Sequence, residues 1–268
     1  MKNNSTNKTI NTKIKNILNN SFLLKNLSAE IIHNLSSKFN TIKINDIDLA
    51  TYIINNNKTQ NLNLSQNQIL SIIKDSDLVT KNLYERILPM EVLLNNKDQN
   101  LNLSPEQIMS ILEISDLNIQ DIFGTTLPMI IIDNNKYQNL KLNPNQTMSI
   151  LEKSDLSIKD FNGFTILISI FHNNKKQNLN LSPEQIMSVL EKTEYPFFNN
   201  QFMDIFFSNL GNQFKLTEEQ IHKTIKLFKQ NITELNQENQ KKIKTIDLYY
   251  NTQKTIKNKQ KHINNIKI

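Results

Sequence analysis

Apolar and polar positions along this chain repeat with a period of 39 residues, and four copies of the pattern begin at Asn61, Asn100, Asn139 and Asn178. In each copy, two leucines alternate with polar residues, a short polar segment follows, and apolar residues then recur at helical spacing. A fixed period of about 20–50 residues is typical of solenoids and other repeat arrays. The pattern therefore predicts a helical repeat solenoid.

The apolar run of each copy predicts one helix, which we term the capped helix. In the copy from Asn100 it begins at Ser104-Pro105-Glu106-Gln107, and Asn143 and Ser182 stand at the same place in later copies. Ser or Asn caps the free amides, Pro suits the first turn, and Gln three residues on completes a capping box. One face then carries the apolar positions Ile108, Met109, Ile111 and Leu112. Their spacing predicts a buried stripe in which Met fills the core.

A tight turn and a second helix, which we term the turn helix, complete each unit. Gly124 and Gly163 end Asp-containing runs and supply the positive φ that such a turn requires. Thr126 and Thr165 are expected to cap the turn helices, predicted at Leu127 to Lys136 and Ile166 to Lys175. Each turn helix ends in Asn-Asn-Lys. Asn there favours a left-handed helix end, and Lys suits the negative end of the dipole.

The linker between units is predicted to be extended, with both of its leucines pointing inward. Two columns of amides accompany it: Gln60, Gln99, Gln138 and Gln177, and Asn61, Asn100, Asn139 and Asn178. We interpret them as structural, because an unpaired buried polar group costs about 1–3 kcal/mol. For the Asn-Asn-Lys sequences, the alternatives are helix termination and a ladder that grips an acidic or phosphate-bearing partner.

Weaker copies flank the array. Asn26–Ile32 and Leu216–Ile221 match the capped helix, so the helix starts fall near 28, 65, 104, 143, 182 and 217. The sequence thus predicts an all-α chain of about five to six helix-turn-helix repeats. The predicted domains are a polar, basic N-terminal segment (1–25), the repeat array (26–230), and a C-terminal helix with a basic tail (231–268).

Composition restricts the possible functions. There is no Cys, no apolar run long enough to span a membrane, and no signal-like stretch at the N-terminus, so a cytoplasmic location is expected. Asn accounts for 44 residues, which AT-rich codon usage alone can explain. The net charge of +6 is concentrated at the two ends, with a mildly acidic middle. This distribution disfavours a nucleic-acid groove along the repeats.

Catalytic chemistry finds no support, so no catalytic, cofactor-binding or metal-binding residue is predicted and the protein is not expected to be an enzyme. The four His are scattered, and the three Gly are too few to build a phosphate-binding loop. One Asp in each of three copies (Asp77, Asp116 and Asp155) is interpreted as a turn residue.

Two further segments leave alternatives open. The Phe-rich stretch from Tyr195 to Phe214 predicts either a heavier core or an exposed aromatic patch, and Phe202, Phe206 and Phe207 suit a buried helical stripe. The stretch from Ile232 to Ile268 predicts a capping helix with a solvated tail, with Ile243, Ile246, Tyr249 and Tyr250 at helical spacing. Its lysines also suit an acidic surface, anionic lipid, nucleic acid or a secretion signal.

The strings Asp121–Leu127 and Asp160–Leu167 resemble the turn and first helix of the ankyrin repeat, where Asp-x-x-Gly-x-Thr-Pro-Leu precedes that helix. The resemblance covers roughly residues 26–230. Within the ankyrin family, this sequence is most similar to the divergent, Asn-rich proteins of host-associated intracellular bacteria. There are departures: the family period is about 33 residues, Glu85 stands at the place of the turn Gly, and Pro128 falls one position late.

The resemblance implies an ankyrin-like α-solenoid that binds another protein through its turns and turn helices, without catalysis. The residues expected to contact that partner are Phe123, Thr125, Phe161 and Phe164. It also implies a possible role as a secreted bacterial effector acting on a host protein. The alternative function is nucleic-acid or anionic-membrane binding through the basic termini. No cofactor and no small-molecule substrate are expected.

Overall fold

A computed structural model describes residues 28, 30, 31, 34, 43, 44, 47–192, 199–209, 216–230 and 232–266. The N-terminal segment 1–25, most of the flanking copy at 26–32, and Phe197, Phe198 and Phe214 lie outside this range.

The regular secondary structure of the described residues is almost entirely helical, which confirms the all-α helical repeat solenoid. It opens with a two-residue antiparallel hairpin, β1 (Lys43–Ile44) and β2 (Ile47–Asp48). The helices are α1 (Leu49–Asn56), α2 (Gln66–Lys74), α3 (Leu88–Asn95), α4 (Pro105–Glu113), α5 (Leu127–Asn134), α6 (Pro144–Lys153), α7 (Ile166–Asn173), α8 (Pro183–Lys192), α9 (Asn200–Asn209), α10 (Glu218–Lys229) and α11 (Gln237–Ile266), with a 3₁₀ turn at Ile232–Glu234. The capped helices are α2, α4, α6, α8 and α10, and the turn helices are α1, α3, α5 and α7.

The predicted capping boxes are confirmed. Ser65, Ser104 and Asn143 each accept a bond from the backbone of the Gln three residues later, whose side chain bonds back to the cap's own amide. Thr217 does the same at the start of α10, which confirms the weaker copy there. Capping boxes satisfy amides that a helix start otherwise leaves unpaired.

The described residues fall into two compact units: those up to 166 together with 176–179, and 167–175 together with those from 180 onward. In the first unit, turn helices α1, α3 and α5 pack side by side, and capped helices α2 and α4 form a second layer against them. Residues 88–93 and 127–132, which make up most of α3 and α5, are buried at every position. These two turn helices therefore form the centre of the core and present no open face.

The linkers bury their leucines as expected, although every second residue of their backbone is left-handed. Leu62, Leu64, Leu101, Leu103, Leu140, Leu142, Leu179 and Leu181 are all buried. The polar residues before them take left-handed φ angles of 49° to 56° at positions 61, 63, 100, 102, 139, 141, 178 and 180. Left-handed residues thus alternate with buried leucines along each linker.

The predicted ends of the turn helices were wrong in two respects. The helices stop at Asn134 and Asn173, two residues earlier than expected, and the next residue, Asn135, is right-handed (φ −51°). The left-handed residues come later, in the linker. At the helix start, Thr126 occupies the cap position without the expected side-chain capping bond, and its extended backbone pairs with Gln120 across the turn.

The second unit has an aromatic core. Phe171 of α7, Phe202 and Phe206 of α9, and Phe228 of α10 are fully buried, with ring centroids 5.0–6.0 Å apart. Edge-to-face pairs of this kind stabilise beyond their buried area by about 0.5–1.5 kcal/mol. The core interpretation of Phe202 and Phe206 is confirmed, while Phe207 is half-buried with the Lys242 ammonium 5.8 Å from its ring centre.

Candidate interaction surface

Three turns of the first unit, 82–86, 121–125 and 160–164, share one hydrogen-bonding scheme. In the second turn, Asp121 Oδ1 accepts from the amides of Phe123 and Thr125, both at 2.9 Å. Asp160 repeats these two bonds in the third turn, and Asn82 repeats them in the first. The predicted left-handed glycines are confirmed, with φ +77° at both Gly124 and Gly163. Glu85 occupies the same place with φ 55° although it carries a side chain.

Hydrogen bonds hold consecutive turns in register. The amide of Ile122 donates to the carbonyl of Tyr84, and the amide of Phe161 donates to the carbonyl of Phe123, both at 2.9 Å. Side chains add a second connection, because Lys81 Nζ donates to the carbonyl of Gln120. Gln120 Nε2 in turn donates to the carbonyl of Lys159, and both of these bonds are 3.0 Å long. The three turns therefore form one ordered row.

The tips of this row expose large apolar side chains. Leu83, Ile122 and Phe161 occupy the same position in the three turns and are 68%, 39% and 78% exposed. Tyr84 and Phe123, one residue later, are 56% and 52% exposed. We call these five residues the turn-tip surface. Contiguous exposed apolar side chains of this kind mark sites of interaction with other molecules.

Arg86 braces the base of the turn-tip surface. Its guanidinium lies 5.3 Å from the ring centre of Tyr84 and 6.0 Å from that of Phe123. Its Nε is 3.1 Å from the buried carboxylate of Asp121, and its Nη1 is 3.8 Å from the buried Glu91. The two carboxylates hold the guanidinium in place, and its contacts with the two aromatic rings restrict their movement in turn.

The structure separates the four predicted contact residues into two pairs. Phe123 and Phe161 stand exposed on the turn-tip surface, whereas Thr125 and Phe164 are half-buried and their amides are held by the turn aspartates. The turn helices α3 and α5 are buried over residues 88–93 and 127–132, so the available face is narrower than the one predicted from the turns and turn helices together.

Sequence reasoning missed Leu83, Tyr84 and Ile122. The 39-residue period could have identified them. Tyr84 lies one period before Phe123, Ile122 lies one period before Phe161, and Leu83 lies two periods before Phe161. The first turn was harder to recognise in the sequence because Glu85 stands at the place of the turn Gly, and a Glu does not predict a left-handed conformation.

Three aspartates, one in each loop, precede the turns of the turn-tip surface. Asp77, Asp116 and Asp155 lie six residues before the three tips and accept amide bonds two residues ahead, which confirms them as turn residues. The amide of Val79 and the hydroxyl of Thr80 lower the pKa of Asp77, and the hydroxyl and amide of Ser157 lower that of Asp155. Both are exposed and stay ionised near neutral pH.

The middle Asn of Asn-Asn-Lys is a structural residue rather than a contact residue. In the first unit, Asn57, Asn96 and Asn135 are buried, and each donates to the carbonyl of the Gln one repeat further on, at 3.0, 3.1 and 3.2 Å. The side-chain oxygens of Gln99, Gln138 and Gln177 accept from the backbone amides of Lys58, Lys97 and Lys136. The structural interpretation of the glutamine column is therefore confirmed for these three residues.

In the second unit, α11 packs against α9 and α10, as expected for a capping helix, and Ile243 is fully buried. The side chains of Lys241, Lys244, Leu248, Tyr249, Ile256 and Lys259 are exposed. His222 of α10 is buried and stacks on Tyr250 with centroids 3.7 Å apart. The helix thus continues through the segment predicted to be a solvated tail and carries mixed basic and apolar groups.

Within the described part of the chain, no group of three or more His, Asp or Glu is placed to hold a metal ion. Among the helices of the same residues, none combines the length and apolar character needed to cross a membrane.

Comparison with known proteins gave a structural likeness only. No protein-family model matches the sequence, and a search of curated proteins found no match. Among solved structures, the chain is similar to one described as "Crystal Structure of EF0377 an Ankyrin Repeat Protein". The identity is 15% and the TM-score 0.38, over 71% of this chain and 96% of that one.

Proposed function

We propose that this protein is a non-enzymatic protein-interaction scaffold of the ankyrin-repeat type, which contacts its partner through the turn-tip surface. The observation that carries the proposal is the row of five exposed apolar side chains fixed in register by hydrogen bonds between turns. An ordered apolar surface binds without a large loss of side-chain and loop entropy, which favours affinity.

Capture of binding partners from lysates tests this proposal. A variant with Leu83→Ser, Phe123→Ser and Phe161→Ser removes the tips and leaves the turn aspartates in place. A control variant with Ile114→Ser and Tyr137→Ser removes exposed apolar groups elsewhere in the first unit. The proposal requires that the tip variant lose partners that the control retains, with equal helix content by circular dichroism. Equal capture by both variants would show that the assigned surface is wrong.

The finer proposal is that the chain acts as a bacterial effector on a host protein. It is supported by the resemblance of its Asn-rich repeats to those of host-associated intracellular bacteria. Action in a cytoplasm, of the bacterium or of the host after secretion, belongs to the same proposal. Host proteins should then be enriched over bacterial ones in captures made from mixed lysates; enrichment of bacterial proteins alone would speak against an effector role.

The exposed lysines of α11 favour a second candidate function, binding to nucleic acid or an anionic membrane. Helix α11 carries seven Lys against Glu238 and Asp247, and Lys241, Lys244 and Lys259 lie with Leu248 on its exposed face. Such binding weakens steeply with salt, because it releases counterions. Replacing the three lysines by Gln should abolish a salt-dependent affinity for DNA or anionic vesicles; an unchanged affinity with a flat salt response would exclude this candidate.

A further inference from the structure

We propose that the turn-tip surface binds a cationic polypeptide segment whose apolar side chains lie about one repeat apart. This inference rests on the proposed function and adds the chemistry of the partner. It follows from the periodicity of the tips and from the charge of the loops beside them.

The tips set the spacing of the apolar groups. Each turn contributes two backbone passes, as the bridges Gln120↔Thr126 and Lys159↔Thr165 show, and neighbouring turns are joined by a direct backbone bond. Hydrogen-bonded passes lie about 4.8 Å apart, so equivalent tips are roughly 10 Å apart. A polyproline II segment places every third side chain on one face at about 9 Å, and an α-helix places every seventh at about 10.5 Å. Either form can present one apolar group to each of Leu83, Ile122 and Phe161.

The loops beside the tips set the charge. Residues 75–86, 114–125 and 153–164 hold seven Asp or Glu against four Lys or Arg, a net charge of −3 in a chain whose total is +6. Arg86 is already paired with two buried carboxylates, and Lys81 lies 3.6 Å from Glu85. The net charge of these loops is therefore negative, and a cationic segment complements it.

The two requirements act on different properties of the interaction. Apolar groups on the tips supply affinity by removing exposed side chains from water. Charge complementarity speeds association and discriminates against acidic segments, because like charges brought together destabilise a complex. An apolar segment that carries acidic residues should consequently bind poorly even when its spacing is correct.

Synthetic peptides test the inference on the full chain. Two probes of 16 residues combine Leu with Lys and Thr, one with Leu at every third position and one with Leu at every seventh. Each has a matched version in which Glu replaces every Lys. Fluorescence anisotropy should show at least one Lys probe binding about tenfold or more tightly than its Glu version at 0.05 M salt, where charges are weakly screened.

Variants assign the binding to the two features separately. Leu83→Ser with Ile122→Ser and Phe161→Ser should weaken the Lys probe about tenfold, a change of roughly 1.4 kcal/mol. Tyr137→Ser, at an exposed residue outside these loops, should leave it unchanged. Asp77→Asn with Asp116→Asn and Asp155→Asn keeps the accepting oxygen, a role that Asn82 already fills in the first turn. It should weaken the Lys probe several-fold and flatten its salt dependence.

The outcomes distinguish the partner's chemistry from the assigned surface. Equal binding of Lys and Glu probes, lost in the tip variant, would overturn the cationic partner and keep the surface. Binding of the Lys probe that the tip variant retains would overturn both. Self-association of the chain that the tip substitutions abolish, seen by light scattering, would assign the surface to a second copy and overturn the inference.

Discussion

At the scale of the residue, the abundance of Asn has a physical cause beyond codon usage. Of the eight left-handed linker positions, seven are Asn and one is Lys141. Asn tolerates the left-handed region better than most residues with a side chain, because its short amide bonds locally. AT-rich codons can supply the Asn, but the backbone explains why it recurs at these places.

Glu85→Gly should stabilise the protein. The left-handed conformation at φ 55° strains any residue with a Cβ, and Gly releases about 1 kcal/mol there. The exposed pair with Lys81 is worth little, since surface ion pairs contribute roughly 0–1 kcal/mol. The midpoint of urea unfolding, followed by circular dichroism, should rise. Glu85→Ala keeps the strain and should not raise it; a gain in Ala as large as in Gly would place the effect in the carboxylate instead.

Gly124→Ala and Gly163→Ala should differ although both glycines have φ +77°. A Cβ at Gly124 would meet the Asp160 Cα at 2.9 Å, whereas a Cβ at Gly163 has no neighbour within 4 Å. Gly163→Ala should therefore cost only the backbone strain of about 1–2 kcal/mol. Gly124→Ala should cost about 1–3 kcal/mol more, from the forced backbone shift. Equal losses in urea unfolding would show that neighbouring turns are not in close contact.

Stability should fall on acidification through His222. Burial, followed by the charge of Lys226, lowers its pKa in the folded chain. The unfolded chain, with an ordinary pKa near 6.5, then binds the proton first, so folding weakens as pH falls through that value. Thermal unfolding between pH 8 and pH 5.5 should show a larger loss for the natural chain than for His222→Gln. Parallel pH profiles would rule this contribution out.

At the scale of the element, the sequence predicted how helices begin better than how they end. Capping boxes are local, so Ser104 with Gln107 identifies a helix start without knowledge of the fold. The ends depend on the neighbouring repeat. Asn96 is right-handed, and its side chain donates to the carbonyl of Gln138 in the next repeat and accepts from the amide of Leu103 in the following linker. Rules based on the local sequence do not include a partner from another repeat, which explains why the prediction of a left-handed helix end was wrong.

Asn96→Ala should therefore destabilise the first unit strongly. It leaves the carbonyl of Gln138 and the amide of Leu103 buried without these bonds, at about 1–3 kcal/mol for each group. Asn67→Ala, on an exposed position of α2, is the matched control and should change stability by less than about 0.5 kcal/mol. Urea unfolding of both variants measures the difference. Similar losses would show that the amide ladder contributes no more than an exposed Asn.

At the scale of the whole molecule, the period predicted the architecture, and the exposed surface had to come from the structure. The 39-residue spacing was sufficient for a helical repeat solenoid, whereas Phe123 and Phe161 were expected as contact residues from the ankyrin resemblance and are exposed in the structure. It could not show that residues 88–93 of α3 and 127–132 of α5 are buried, because burial depends on what the linkers and neighbouring helices cover. That burial confines the open apolar surface of the row to the turn tips.

Site-specific photo-crosslinking tests most directly whether binding occurs at those tips. A benzophenone side chain replaces Phe123 in one protein and Tyr137, which is equally exposed but lies beyond the turns, in another. Irradiation with a captured partner should give a covalent adduct from position 123 and none from position 137. Adducts from 137 alone would contradict the assignment of the turn-tip surface and move the binding site to the linker side of the repeats.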